Sequence, residues 1–181
     1  MSPDWPIETE RLTLRPFQEG DFGALYAMQS DPEVARYLYL EPRTLEETQV
    51  QLGRKIAGAA WNAEDDWLSC AAVDRASGQV VADIALHWVS AEHKTAELGF
   101  ISAPDHQGKG YATEASRPIV DWVFAQGFHR VIGRTEVRNI ASARVLQKLG
   151  MRLEAHLVEN EWVKGEWQSE LVYAILEREW R

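Results

Sequence analysis

Arg11-Leu12-Thr13-Leu14-Arg15 sets leucines at alternate positions between polar neighbours, the period of a strand with one buried face. Pro16 and then Glu19-Gly20-Asp21 end it, and Asp21 is placed to cap a short helix. Asp31 before Pro32 repeats the arrangement and predicts a second helical piece from Pro32 to about Leu38. Thr44-Leu45-Glu46-Glu47 has capping-box spacing, and Leu45, Leu52, Ile56 and Ala59 or Ala60 then recur at helical intervals. A longer helix to about Trp61 is expected.

Beyond that point the period changes. Trp67 to Val73, Val80 to Trp88 and Thr95 to Ile101 are short, rich in strand formers and separated by turns such as Ala76-Ser77-Gly78, which reads as an antiparallel meander. The pattern then alternates: a helix from about Gly110 to Phe124, a strand from Val131 to Val137, a helix from Asn139 to Leu149, and final strands around Leu153 to Val158 and Leu171 to Leu176. The fold class is therefore α/β, a mixed sheet with helices packed on it. Pro118 conflicts with the first of these helices, where it costs about 3 kcal/mol unless the helix kinks or starts later. With no repeat and no linker rich in Gly, Ser and Pro, residues 1–181 read as one domain.

Composition narrows the class. A hydrophobic fraction of 45% with 26% charged residues fits a globular chain rather than a disordered one, and no apolar run approaches the roughly 20 residues of a membrane helix. Met1 to Glu10 lacks the basic start and apolar stretch of a secretory signal, so a cytoplasmic location is expected, with no membrane partner. The net charge of -9 argues against a nucleic-acid surface and is compatible with a cationic partner. Cys70, the single cysteine, lies in an apolar strand and reads as a small core residue. His87, His93, His106, His129 and His156 lack ligand spacing, so no metal site is expected. His87 and Trp88 read as packed or surface residues before they read as substrate contacts. Trp162, Trp167 and Trp180 read as core and interface packing, which leaves room for a homodimer.

Chemistry enters at Gln107-Gly108-Lys109-Gly110-Tyr111-Ala112, a glycine-bearing turn between a strand and a helix. Such glycines let backbone approach a ligand, and the free N–H groups at the helix start, with its dipole, suit a pyrophosphate. The spacing matches neither the phosphate loop of nucleoside triphosphatases nor Gly-x-Gly-x-x-Gly. It resembles the Gln/Arg-x-x-Gly-x-Gly/Ala acyl-coenzyme A motif of GNAT acetyltransferases, with Gln107, Gly110 and Ala112 at the matching positions. Asn139-Ile140-Ala141-Ser142 and Leu149-Gly150-Met151 resemble that superfamily's Asn-x-x-Ser and Leu-Gly-Phe segments. Arg11 to Pro16 with Asp21, and Ser30 to Val34, are similar to the opening of the branch that acetylates N-termini of ribosomal proteins.

The resemblance implies a mostly antiparallel sheet splayed between its fourth and fifth strands, those around Glu97 to Ile101 and Val131 to Val137. It implies acetyl-coenzyme A as co-substrate, with pantetheine on the backbone near Phe100, Ile101 and Ser102 and contacts from Gln107 to Ala112, Asn139 and Ser142. The acceptor is then an amine, either a protein N-terminus or a small molecule. A non-catalytic acyl-coenzyme A sensor is the reading from another class.

Acetyl transfer needs a base for the amine proton and a means to quench the thiolate. Glu97 is an acid inside an apolar strand just before the glycine turn, where burial raises its pKa; a solvent-facing carboxylate is the alternative. Asn139 and Ser142 at a helix start are explained by capping alone, and the resemblance adds a coenzyme contact and, for Ser142, a proton donor. The superfamily's usual tyrosine donor is replaced by Leu146. Asp83 stands where relatives usually have glycine, a departure expected to alter the substrate side.

Overall fold

The computed structural model describes residues 1–58 and 61–181. One eight-stranded sheet runs in the order β1-β2-β3-β4-β5-β6-β8-β7. Its members are β1 (Ile7–Glu8), β2 (Leu12–Arg15), β3 (Trp67–Asp74), β4 (Val80–Ser90), β5 (Thr95–Ser102), β6 (Arg130–Glu136), β7 (Arg152–Val163) and β8 (Glu166–Leu176). The helices are α1 (Phe22–Ser30), α2 (Pro32–Ala35), α3 (Leu45–Ala57), α4 (Tyr111–Ala125) and α5 (Ile140–Lys148). None among the described residues is long and apolar enough to cross a membrane.

Every strand pair is antiparallel except β5 with β6, and that pairing covers only Thr95 to Glu97 against Arg130 to Ile132. Beyond Glu97 the two strands part, so the sheet opens as a V. The expected splay is present, and Glu97 stands at its apex.

Strand alternation sends side chains to two faces. Leu68, Cys70, Ile84, Leu86, Ala96, Leu98 and Val131 pack against Ala115, Ile119 and Val123 of α4, Leu146 of α5 and Leu149 at its C-cap. On the opposite face, Ala71 and Val80 meet Leu25 and Met28 of α1 and Leu52 of α3. Trp61 is fully buried, with Trp88, Trp122 and Phe128 around its ring at 4.8, 5.4 and 4.7 Å. Cys70 is buried, and that burial pushes its thiol pKa up, away from reactivity.

Several local expectations are corrected. Asp21 precedes α1 but its side chain does not cap it; the carboxylate holds Arg15 at 2.7 and 2.8 Å instead. The Asp31 helix stops at Ala35. The Thr44–Glu47 capping box forms as expected, but α3 ends at Ala57, and the expected contribution of residues 59–60 lies outside the described residues. α4 has the expected span and runs through Pro118, which leaves the Glu114 carbonyl without its intrahelical donor. β7 and β8 are longer than expected because they pair with each other out to Val163 and Glu166. At that hairpin tip Trp162 and Trp167 pack edge to face and stay exposed, so neither is a core residue.

Gly133 of β6 shows how closely α5 sits. A Cβ there falls 2.4 Å from Leu146 Cδ2, so no side chain fits unless Leu146 moves. Gly133→Ala should cost about 1–3 kcal/mol in denaturant unfolding. Leu146→Ala opens a cavity of its own, but the double variant Gly133→Ala/Leu146→Ala should lose less than the sum of the two single losses, because the truncation removes the clash.

Candidate active site

The glycine turn follows β5 after a single 3-10 turn, Pro104–His106. Gly108 and Gly110 have φ of 73° and 83°, the left-handed region that a side chain resists. Gly110 is the N-cap of α4 and supplies no side chain to bond the first turn. The N–H groups of Tyr111, Ala112 and Thr113 are thus left for an external anion, at the positive end of a fifteen-residue helix.

An acid in that first turn, Glu114, works against an anion, and the fold neutralises it. Glu114 accepts from Thr9 Oγ1 at 2.6 Å, the Arg11 amide at 2.8 Å and Arg11 Nε at 2.7 Å, which holds its pKa below the ordinary range. Arg11 also donates to the Lys109 carbonyl at 3.1 Å and lies 4.6 Å over the Tyr111 ring. The β1–β2 turn therefore braces the glycine turn, a role for Arg11 that no local motif announces.

Along the V, β5 offers an open backbone edge. Ala103 donates to Val81 O, so in the regular register with β4 the polar groups of Leu98, Phe100 and Ser102 point to the other side. Past Glu97 no strand among the described residues covers that side. Phe100 and Ser102 thus turn their amides into the opening, while the Ile101 amide is turned to β4. The site fits a ligand held by main-chain groups, its diphosphate at the α4 start and its arm along β5.

Asn139 caps α5 by accepting from the Ser142 amide at 3.1 Å, which leaves the Ser142 hydroxyl out of the cap. Leu146 is buried under β6. α5 packs on the face opposite Glu97, so the two expected catalytic residues approach the opening from different sides.

Glu97 is three-quarters buried, and desolvation raises its pKa. Arg134 Nε at 3.7 Å and His87, its partner across β4, pull the other way. His87 stacks on Trp67 at 4.4 Å beside Glu97, whereas Trp88 turns into the Trp61 cluster on the other face. Asp83 makes a buried ion pair with Lys55 of α3 at 2.7 Å, with Ser69 at 3.2 Å from the same ammonium. The pair ties α3 to the sheet, on the same face as Glu97. Among the described residues no cluster of His, Cys, Asp and Glu suits a metal.

The Acetyltransferase (GNAT) domain matches residues 11–152. The chain belongs to the GNAT acetyltransferase family. It is similar to an uncharacterized N-acetyltransferase, YnaD, of Bacillus subtilis, with 33% identity over 96% of this chain and 98% of the relative. Its fold matches spermidine N-acetyltransferase from Vibrio cholerae, solved with CoA and spermine, at a TM-score of 0.79 and 24% identity over 94% and 98% of the two chains. It also matches the ribosomal-protein-S5-alanine acetyltransferase of Vibrio fischeri, with a TM-score of 0.81 and 21% identity over 98% and 100%. The GNAT acetyltransferase uses acetyl-coenzyme A, and the uncapped α4 start and open β5 edge fit that co-substrate.

Proposed function

We propose that this chain transfers acetyl from acetyl-coenzyme A to a primary amine by direct attack, with Glu97 as the proton acceptor. The observation that carries the reading is the place of Glu97: a desolvated carboxylate at the apex of the V, where β5 leaves β6. The co-substrate supplies an activated thioester carbonyl. Gly108 to Ala112 hold its diphosphate through main-chain N–H groups, and Phe100 and Ser102 hold its arm. Glu97 takes a proton from the ammonium, directly or through water, so that a neutral nitrogen attacks. The N–C bond forms as the thioester C–S bond breaks, and the Ser142 hydroxyl donates to the departing sulfur while it takes up the proton that the new amide nitrogen sheds; Glu97 then returns its own proton to solvent.

Two acceptor classes suit this site: a small-molecule amine, as in the spermidine enzyme, and a protein N-terminus, as in the ribosomal-protein enzyme. Leu146, at the place of the superfamily's usual tyrosine, favours the competing reading of a binding module without turnover, since that acid is missing. Release of coenzyme A over a mixed panel of amines separates the two. Sustained release with at least one amine supports transfer, and tight binding without release on any amine supports the sensor.

Ser142→Ala should lower turnover more than coenzyme A affinity if the hydroxyl quenches the thiolate. Single-turnover kinetics and a binding titration check this, and a fall in affinity alone makes Ser142 a ligand contact only.

A further inference from the structure

Glu170 of β8 has a side chain only 2% exposed and an incomplete set of partners. Its Oε2 accepts from the Tyr39 hydroxyl at 2.6 Å, while Oε1 has no hydrogen-bond partner among the described residues. Tyr39 is largely exposed, but desolvation of its hydroxyl and the bond to that carboxylate push the phenol pKa up, so it remains a donor. Directly across on β6 stands Glu136, also buried, and like charges so opposed repel. Glu136 is fully served by Arg138, whose amide and Nε both bond it at 2.7 Å. Among the described residues, the one cation near Glu170 is Arg134, whose Nη1 lies 3.6 Å from Oε1, and the same guanidinium lies 3.7 Å from Glu97. Arg134 is half exposed and sits beyond hydrogen-bond distance of both acids.

We infer that Glu170 is a second cation subsite, and that the acceptor is a diamine or polyamine with its reacting nitrogen at Glu97 and a distal ammonium at Glu170. The inference rests on the acetyl-transfer reading above. Arg134 occupies, loosely, the place of that ammonium and turns to solvent when it arrives. Two carboxylates then face two ammonium groups before Glu97 takes its proton, so the buried charges cancel. An ammonium also brings three donors on a small centre, which supplies Glu170 Oε1 with the bond that the distant guanidinium does not make. One guanidinium reaches both acids, so a short alkyl spacer spans them. A protein N-terminus with an apolar first side chain brings no such second charge.

The test measures coenzyme A release with 1,4-diaminobutane, 1-aminopentane and an alanine-initiated peptide amide, for the wild type, Glu170→Gln and Arg134→Met. The wild type should prefer the diamine over the matched monoamine by about tenfold or more in kcat/KM, the size of one charge-assisted bond. Glu170→Gln should erase most of that ratio through KM, and Arg134→Met should lower the diamine KM. If Glu170→Gln does not fold, an unchanged diamine-to-monoamine ratio in Arg134→Met overturns the inference. Equal use of both amines by the wild type, or preference for the peptide, removes the subsite and leaves acetyl transfer standing. No release with any amine overturns both.

Discussion

Glu97→Gln should lower turnover at neutral pH by at least about tenfold, and by as much as about ten-thousandfold if general base catalysis has its full usual weight, roughly 3–5 kcal/mol of barrier. The substitution keeps the shape of a side chain packed at the apex of the V, so a folding defect is not expected. The sign of the pH effect follows from the raised pKa. A base works ionised, so wild-type turnover should fall as pH drops through the Glu97 pKa, at a pH above the ordinary carboxylate range. Glu97→Gln should lose that acid limb. It should also recover part of its deficit as pH rises, because more of the amine is then already neutral. Steady-state turnover across pH for both proteins checks this, and matching profiles with equal turnover remove Glu97 from the chemistry.

Gly110→Val should weaken acetyl-coenzyme A binding by about tenfold or more and lower the melting temperature. The cause is conformational rather than spatial. A Cβ at Gly110 meets only Arg11 Nη2 at 3.6 Å, an ordinary contact, but φ of +83° is strained for a β-branched residue by about 1–3 kcal/mol. Relaxing that strain rotates the N–H groups at the start of α4 away from a common target. Gly23→Ala in α1, where nothing lies within 4 Å and φ is unremarkable, is the control and should leave affinity unchanged. Isothermal titration and thermal melts with and without acetyl-coenzyme A read both effects. At a hundredfold excess over its dissociation constant, the co-substrate should add about 2.7 kcal/mol to the wild type.

What could be read along the chain was whatever depends on neighbours in sequence. The Thr44–Glu47 capping box, the alternation in β2 to β5 and the left-handed glycines at 108 and 110 each follow from a few adjacent residues. Asp21 shows the limit. Its spacing from the helix suits a cap, yet a guanidinium across the β2 turn bonds it better, and the carboxylate goes to Arg15. The length of β7 and β8 likewise escaped, since polar, exposed strand residues such as Glu161, which pairs with Gln168, carry no periodic signal and are ordered by that pairing.

The sequence by itself determined the family, the order of elements from β2 onward, the glycine turn and Glu97 as the acid to watch, because each rests on local pattern or motif order; β1, only two residues long, carries no such pattern. Only the tertiary structure decided which charges meet. Tyr39 and Glu170 bond across 131 positions of chain, and Arg134 faces both Glu97 and Glu170. That grouping depends on β6 lying between β5 and β8, and on a register that sets Glu136 opposite Glu170. The physical reason is that a buried charge is tolerated only where opposite charge or donors reach it, and sheet order, not sequence spacing, brings them within reach.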